Sequence, residues 1–343
     1  MVRTAVIQGI DHYLPEERLT NAELSALYPG WTADKILEKT GILERRIAAD
    51  TECASDLAVR AADRLLERLD VDRSRIDLLV FCTQSPDHFL PTTACLIQER
   101  LGLGTNVAAF DYNLGCSAFP YGLAIVRGLI DAGIASTALL LMADTYSKFI
   151  HPLDKSVRTL FGDAASAVLI TAEERAAPSI GPFVLGTDGT GAGNLIVPAG
   201  AMRHPLATAD LAEKTDKSDN TRTAANLFMN GPAIFEFTVK RVPALIRDVV
   251  AAAEISLDDV DLVILHQASE MLLATLQGSL RIPDEKFVRH YSRCGNTVSS
   301  TIPIALQSVI DAGRVARGDV LLVAGFGVGY SWGANLIRWE PNA

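Results

Sequence analysis

The sequence lacks any apolar run long enough to cross a membrane. Even the apolar stretch around residues 138–143 is bounded by Asp131 and Asp144, whereas a membrane span needs roughly 18 apolar residues. The first residues are strand-like and lack the cationic region, long apolar core and cleavage site of a secretory signal. We therefore expect no membrane partner and no secretory signal.

Cysteine is scarce, and its spacing does not suggest a metal site. The five cysteines form no CxxC pair and no other spacing typical of metal ligands: Cys53, Cys82, Cys95, Cys116 and Cys294. An odd number of cysteines, without a secretory signal, is typical of reduced thiols in the cytoplasm. We therefore expect a cytoplasmic protein without a metal.

Basic residues are outnumbered by acidic ones. The chain has 31 Lys and Arg residues against 41 Asp and Glu residues, for a formal net charge of -10. Nucleic-acid binding relies on clustered Lys and Arg, so this balance argues against such a partner. The 343 residues, of which 49% are hydrophobic, are enough for about two domains with a sizeable core.

Two stretches of the chain, 180 residues apart, are copies of each other. One runs from Gly115-Cys116-Ser117 through an apolar helical segment to Asp-Ala-Gly at 131–133, and the other runs from Gly295-Asn296-Thr297 to Asp-Ala-Gly at 311–313. Upstream, residues 76–85 match residues 260–269 in the same way. A repeat of this length predicts two halves of one topology around a pseudo-twofold axis, with Cys116 and Asn296 at equivalent positions.

The alternation of helical segments with buried, Val- and Leu-rich strands predicts an α/β fold. We place the first half at residues 1–175 and the second at 176–343, with 176–225 forming largely connecting loops. Gly133 and Gly313 follow the repeated helices and are expected to end them in the left-handed conformation.

Three residue types in this pattern suggest catalysis. Cys116 precedes a predicted helix, whose N-terminus would lower the pKa of its thiol, although a buried packing cysteine is an alternative. His266 ends a strand, where ligand-facing residues emerge in α/β folds, although a lone His after such a strand is more often a hydrogen-bonded core histidine. Asn296 could cap a helix. Spacing alone does not choose among Cys-His-Asn enzymes, papain-like hydrolases included.

Four ordered motifs resemble β-ketoacyl-acyl carrier protein synthase III, a family of thiolase-fold condensing enzymes. They are NLGCSAF at 113–119, LHQAS at 265–269, GNT at 295–297 and GFGVG at 325–329, with supporting matches at 13–15, 20–21, 40–45, 161–164 and 332–333. The resemblance implies a five-layered α-β-α-β-α fold and a homodimer. It also implies a decarboxylative Claisen condensation that uses no cofactor besides its thioester substrates.

The resemblance also implies roles for individual residues. Cys116 would attack an acyl-CoA or acyl-carrier thioester and hold the acyl primer, with the backbone N–H groups of Cys116 and Val328 forming the oxyanion hole. His266 and Asn296 would stabilise the enolate formed from malonyl-ACP or malonyl-CoA. Phe326 would help to expel the carboxylate, and Phe161 would line the acyl pocket.

Departures from the family pattern concern the substrate. Lys35 replaces a frequent Trp, Lys39 and Lys148 stand where Arg often grips coenzyme A, and Ser269 replaces an Asn after the catalytic His. Basic carrier contacts of the family prototype are replaced by Met271, Gln277 and Gly278. Leu90 takes the place of a large aromatic that limits primer length across the dimer. We therefore expect a primer other than acetyl.

Three alternatives remain open from the sequence. The first is a secondary-metabolite acyltransferase that passes the acyl group from Cys116 to an amine, a hydroxyl or a β-keto acid without decarboxylating malonyl. The second is an inactive thiolase-fold partner subunit, and the retained Cys116 argues against it. The third is a cysteine hydrolase that releases free acid from thioesters.

Overall fold

Residues 1–341 are described by a computed structural model that contains two main β-sheets. The first sheet consists of β1 (Val2–Tyr13), β4 (Leu78–Cys82), β5 (Ala108–Tyr112), β6 (Thr137–Asp144) and β7 (Ala164–Arg175). The second consists of β8 (Ile180–Thr187), β13 (Leu262–Leu265), β14 (Val320–Gly327) and β15 (Ser331–Arg338). The remaining six strands form three two-stranded sheets, which pair β2 with β3, β9 with β12 and β10 with β11. These strands are β2 (Glu17–Thr20), β3 (Glu44–Ile47), β9 (Leu195–Ile196), β10 (Lys214–Thr215), β11 (Thr221–Arg222) and β12 (Phe228–Met229).

The α-helices surround and separate these sheets. They are α1 (Asn21–Leu27), α2 (Ala33–Thr40), α3 (Ala54–Arg68), α4 (Thr93–Arg100), α5 (Ala118–Asp131), α6 (Lys155–Arg158), α7 (Gly231–Ala252), α8 (Glu270–Leu280) and α9 (Thr301–Asp311). No helix within residues 1–341 is both long enough and apolar enough to span a bilayer.

The repeat seen in the sequence is a repeat of topology. In the first sheet β4 runs parallel to β6, which is antiparallel to β7, which is antiparallel to β1. In the second sheet β13, β14, β15 and β8 follow each other with the same directions. β5 extends the first sheet, and the corresponding edge of the second has a single parallel bridge, Val263 to Phe287. The predicted pair of related halves is therefore confirmed.

The layers follow from the alternation of side chains along each strand. On β4, Leu78 and Val80 point into a central core that also contains residues of α5, α9 and the second sheet. Leu79 and Phe81 point the other way, into a core shared with α3 and α4. On the far side of the second sheet, α7 and α8 close a third core. This arrangement confirms the predicted α-β-α-β-α layering.

Both central helices end as expected. Gly133 and Gly313 have φ angles of 74° and 66°, in the left-handed region. Because glycine adopts this region without the steric cost of a Cβ, it ends a helix well.

The strands of the first sheet lie within residues 2–175, and those of the second lie within residues 180–338. The segment 176–225, which we expected to be largely loop, contributes strand β8 to the second sheet. Its sequence, IGPFVLGT, has two glycines and a proline that weaken the strand pattern, which explains why it was missed. Beyond β8, the regular structure of residues 188–223 consists of two short 3₁₀ helices and strands of two residues.

Candidate active site

Cys116 lies in the turn between β5 and α5, with only 6% of its surface exposed. Two glycines of β14 pack directly against it. A Cβ atom at Gly327 would lie 2.9 Å from the Cys116 Sγ, and one at Gly325 would lie 2.4 Å from the Cys116 carbonyl oxygen. The glycines of the GFGVG motif therefore allow β14 to approach the thiol closely.

The thiol is surrounded by backbone donors but is not a thiolate. Burial raises the pKa of Cys116 to about 12, and the carboxyl of Asp144 adds to this. Hydrogen bonds from the backbone N–H groups of Val328 and Cys116 oppose the rise. The expectation that the helix N-terminus would lower this pKa is wrong for the free protein, because loss of water around the sulfur outweighs the amide hydrogen bonds.

His266 follows β13 and is almost completely buried. Its backbone N–H donates to the Ala324 carbonyl at 2.8 Å, which fixes it beside β14. The ring Nδ1 lies 2.7 Å from the Thr301 Oγ1, and the ring Nε2 lies 3.4 Å from the Asn296 Nδ2. Burial lowers the pKa of His266 to about 3, so the imidazole is neutral. Phe326 packs edge-to-face against this ring, with centroids 5.8 Å apart.

Asn296 is held by the other half of the molecule. Its N–H donates to the Leu160 carbonyl at 2.9 Å, and its carbonyl accepts from the Gly162 N–H at 3.0 Å. Its side-chain Oδ1 accepts the Val298 N–H at 3.0 Å, which leaves the Nδ2 group facing His266. Gly295 is required before it, because φ is 75° and a Cβ would lie 2.9 Å from the Leu160 oxygen.

One apolar cluster connects these groups. Cys116, Phe161 and Val298 belong to it, and Val328 packs against it. Phe161 also forms a β-bridge with Asn296, while Phe326 contacts His266 and its neighbour Gly327 contacts Cys116. The structure therefore buries the predicted thiol, imidazole and amide, and connects them through Phe161, Phe326 and Gly327.

Asp144, at the end of β6, is a buried group near this site that the sequence analysis missed. It accepts hydrogen bonds from the Gln84 N–H and from the N–H and Oγ–H of Ser299. Burial raises the pKa of Asp144 to about 7, against these hydrogen bonds. The sequence contained one signal for such a group, because Asp144 is a carboxylate at the end of an otherwise largely apolar strand.

A cavity of about 1230 Å³ adjoins the site. It reaches from Val328 and Tyr146 to the exposed loop that carries Leu90, and Lys148 lies in its wall. Leu90 is 86% exposed at its rim. Lys148 also donates from Nζ to the carbonyls of Ala49 and Asp50, at 3.3 and 2.8 Å.

Of the other residues expected to contact coenzyme A, two lie on the surface and Ser269 is half-buried. Lys35 and Lys39 are exposed on α2, with their Nζ atoms 5.5 and 5.8 Å from the centre of the Trp31 ring. We expected no aromatic ring here, because Lys35 replaces the Trp of the family, but Trp31 provides one four residues earlier. Ser269 is the N-cap residue of α8, and its side chain makes no capping hydrogen bond.

Within residues 1–341, no cluster of three His, Cys, Asp or Glu side chains is placed to hold a metal ion.

Comparisons with known proteins agree on one family. The family model of 3-oxoacyl-[acyl-carrier-protein] synthase III matches residues 110–189, and the model of its C-terminal domain matches residues 250–339. A β-ketoacyl-[acyl-carrier-protein] synthase III of Caldanaerobacter subterraneus subsp. tengcongensis is 36% identical over 98% of each chain.

Two solved structures extend the comparison. A crystal structure of a 3-oxoacyl-(acyl-carrier-protein) synthase III is 49% identical, with a TM-score of 0.96 over 98% of this chain and 99% of the other. The priming β-ketosynthase of the R1128 polyketide pathway is 28% identical, with a TM-score of 0.86 over 99% of this chain and 97% of the other. The likeness extends over nearly the whole of each chain.

Proposed function

The chain belongs to the β-ketoacyl-[acyl-carrier-protein] synthase III family, and we propose that it loads an acyl primer on Cys116 and condenses it with a malonyl thioester. The observation that carries this proposal is the convergence of two backbone N–H groups on the Cys116 sulfur, next to a neutral His266 paired with Asn296. Such an enzyme is an acyltransferase.

In the loading step, the sulfur of Cys116 attacks the carbonyl carbon of an acyl thioester. The S–H proton leaves the Cys116 sulfur and ends on the departing thiol, and the neutral His266 can accept and return it. The carbonyl oxygen, negative in the tetrahedral intermediate, accepts hydrogen bonds from the backbone N–H groups of Cys116 and Val328. The backbone holds these N–H groups beside the buried sulfur, next to which the tetrahedral carbon forms, so a short shift of each hydrogen bond from sulfur to oxygen is enough.

In the condensation step, malonyl thioester loses carbon dioxide and leaves an enolate. Its oxygen accepts hydrogen bonds from His266 and Asn296, which add no negative charge to repel it. The enolate carbon attacks the acyl carbonyl, the bond to Cys116 breaks, and the thiolate takes up a proton. Phe326, packed against the His266 ring, presents an apolar face that disfavours the carboxylate and favours its loss as neutral carbon dioxide.

The cavity supports a primer larger than acetyl. Its volume of about 1230 Å³ exceeds the space that a two-carbon group requires, and most of its wall is apolar around Phe149, Leu195, Val197 and Leu227. Phe161 and Tyr146 pack together near Cys116, with ring centroids 5.3 Å apart. We infer that an extended acyl chain lies along this wall.

The exposed ends of the site suggest how the thioesters are held. Lys35 and Lys39 offer positive charge beside Trp31, which suits a nucleotide phosphate and base, so acyl-CoA is our proposed primer donor. Lys148 and Ser269 are further candidates for contacts with coenzyme A or a carrier. Malonyl-ACP is the proposed extender, in keeping with the names of the relatives.

We also infer that two copies of the chain associate through the loop at the cavity rim. Phe89 and Leu90 are 68% and 86% exposed there, which is unusual for neighbouring large apolar side chains unless a partner covers them.

The five cysteines are all free, and a reducing compartment such as the cytoplasm suits them.

Intact-mass measurement tests the proposal. The purified protein is incubated with a panel of acyl-CoA and acyl-carrier thioesters, and we expect a stable acyl adduct that is absent in Cys116→Ala and retained in the matched control Cys95→Ala, which changes an exposed cysteine. Adding malonyl-ACP should then release carbon dioxide and yield a β-ketoacyl thioester. An adduct that transfers to amines or hydroxyls without carbon dioxide release supports the alternative of a secondary-metabolite acyltransferase. If no donor gives an adduct, the proposal is overturned.

A further inference from the structure

His266 has to play two opposite hydrogen-bonding roles if the proposed function holds, and the following inference rests on that function. When His266 takes up the proton of the Cys116 thiol during loading, as proposed above, its Nε2 atom is an acceptor. When the enolate forms, the same Nε2 atom has to be a donor. A neutral imidazole carries a single N–H, so the two roles require its two different tautomers.

Thr301 is the only side chain hydrogen-bonded to the Nδ1 of His266 within the part of the chain that the structure describes. The Thr301 Oγ1 lies 2.7 Å from that nitrogen and 3.1 Å from the Val298 carbonyl oxygen. Both residues are buried. The hydroxyl can therefore donate to Nδ1, or it can donate to the Val298 carbonyl and accept from an Nδ1–H.

The Asn296 amide favours one of these tautomers. Its Oδ1 is already bonded to the Val298 N–H, so the group that faces the His266 Nε2 at 3.4 Å is the NH₂ donor. In the absence of substrate this donor stabilises Nε2 as an acceptor. During decarboxylation the Nε2 atom has to carry the proton, so that His266 and Asn296 both donate to the enolate oxygen. A hydrogen bond donated to the Nδ1 atom favours that tautomer.

Val298 supports both contacts with its backbone. It is a β-branched residue with φ of 53°, in the left-handed region that such side chains rarely adopt. Its N–H fixes Asn296, and its carbonyl is the second acceptor for Thr301. A strained conformation at a functional site persists when its surroundings hold it, and here one peptide orients both partners of His266.

We propose that Thr301 is a positioning residue whose hydroxyl sets the tautomer of His266, donating to Nδ1 when the enolate is stabilised and accepting from it when Cys116 is loaded. Thr301 does not touch the substrate in this scheme. It acts through the imidazole, as an outer-shell hydrogen-bond partner fixes the tautomer of a metal-bound histidine.

The test separates the two half-reactions in Thr301→Val, which has the same shape without the hydroxyl. Acyl loading is followed by intact mass, and decarboxylation by release of labelled carbon dioxide from malonyl-ACP. Asn296 still favours the acceptor form of Nε2, so we expect loading within about 3-fold of wild type and decarboxylation slower by roughly 10- to 100-fold. Thr301→Ser, which restores the hydroxyl, should recover most of the lost rate.

Ser300→Ala is the matched control. Ser300 is the preceding residue and equally buried, but its hydroxyl bonds to Ser166 and to the Met142 carbonyl and not to His266. We expect it to change loading and decarboxylation by the same factor. Thermal unfolding of every variant shows whether the fold is intact.

The outcomes distinguish this inference from the proposed function. If the wild-type protein is neither loaded nor able to release carbon dioxide, the proposed function fails. If the wild type is active and Thr301→Val slows both steps equally, or neither, then Thr301 does not set the tautomer. Equal losses in Thr301→Ser and Thr301→Val would also overturn the inference, because the hydroxyl would then not be the group that matters.

Discussion

The carboxyl group of Asp144 accepts two hydrogen bonds from Ser299, one from the backbone N–H at 3.2 Å and one from the hydroxyl at 2.5 Å. Asp144 ends β6 in the first half, and Ser299 follows Asn296 by three residues in the second. The other carboxyl oxygen accepts the Gln84 N–H at 2.8 Å. This buried carboxyl therefore connects the cavity wall of one half to the amide-bearing turn of the other.

The pKa of Asp144, raised by burial from 3.8 to about 7, predicts a pH dependence of stability. The folded state binds the proton more tightly than the unfolded state, so the free energy of unfolding should fall as pH rises from about 4 to 7 and level off above. Each unit of pKa difference corresponds to about 1.4 kcal/mol. Urea unfolding at pH 5 and pH 8 measures the slope.

In Asp144→Asn, the difference between the free energies of unfolding at pH 5 and pH 8 should be smaller than in the wild type by about 1–3 kcal/mol, because Asn does not titrate. Burial also raises the pKa of Asp163, to about 6, so Asp163 contributes in the same direction. Asp163→Asn should leave most of the contribution of Asp144 in place, because the charge of Asp163 is the smallest of the causes that act on Asp144. An Asp144→Asn protein with the wild-type slope would contradict the prediction.

The Cys116 thiol should react slowly with small alkylating reagents in the free protein. Its pKa is raised to about 12 by burial, and the thiolate is the reactive form, so the alkylation rate should rise roughly tenfold per pH unit between pH 7 and 9 without levelling off. Peptide mass mapping after iodoacetamide treatment separates Cys116 from the exposed Cys95. A plateau below pH 9 would mean that the helix N-terminus and the two amides dominate after all.

Gly327→Ala should slow loading strongly. The added Cβ would lie 2.9 Å from both the Sγ and the Cβ of Cys116, so either the thiol or β14 has to move. Because misplacement by about 1 Å can cost roughly 100-fold in rate, we expect acyl adduct formation to slow by about that factor. Overpacking should also destabilise the fold by about 1–3 kcal/mol.

Gly128→Ala is the control for that variant. Gly128 lies in α5, and apart from its chain neighbours and the nearby backbone of its own helix, no atom lies within 4 Å of an added Cβ. We expect unchanged loading and a gain of about 0.5–1 kcal/mol in stability, from better helix propensity. Loading of Gly327→Ala at the rate of Gly128→Ala would show that the contact with Cys116 is unimportant.

Asn296→Ala should remove one of the two proposed enolate donors. We expect decarboxylation to fall by roughly 10²- to 10³-fold while Cys116 is still acylated. Asn296→Asp keeps the shape but replaces the NH₂ donor with an acceptor that can carry negative charge, so it should lose at least as much. Carbon dioxide release and intact mass, measured on the same samples, give the two rates. Undiminished decarboxylation in either variant would exclude Asn296 from enolate stabilisation.

The repeat made much of the fold and site predictable. Copies of one helix and strand pattern required two similar sheets, and Cys116 and Asn296 had to occupy equivalent turns in front of equivalent helices. β8 was missed because its glycines and proline hide a strand whose place in the sheet depends on pairing with β15. Trp31 was missed because its position relative to Lys35 depends on the geometry around α2.

By itself, the sequence determined the α/β class, the related halves and which Cys, His and Asn are proposed for the site, because periodicity and motifs can be read from neighbouring residues of the chain. The tertiary structure alone decided the protonation of Cys116, the contact of Thr301 with His266 and the connection of Asp144 to Ser299. Loss of solvent and hydrogen-bond direction depend on every segment that packs around a group. Those segments are far apart along the chain.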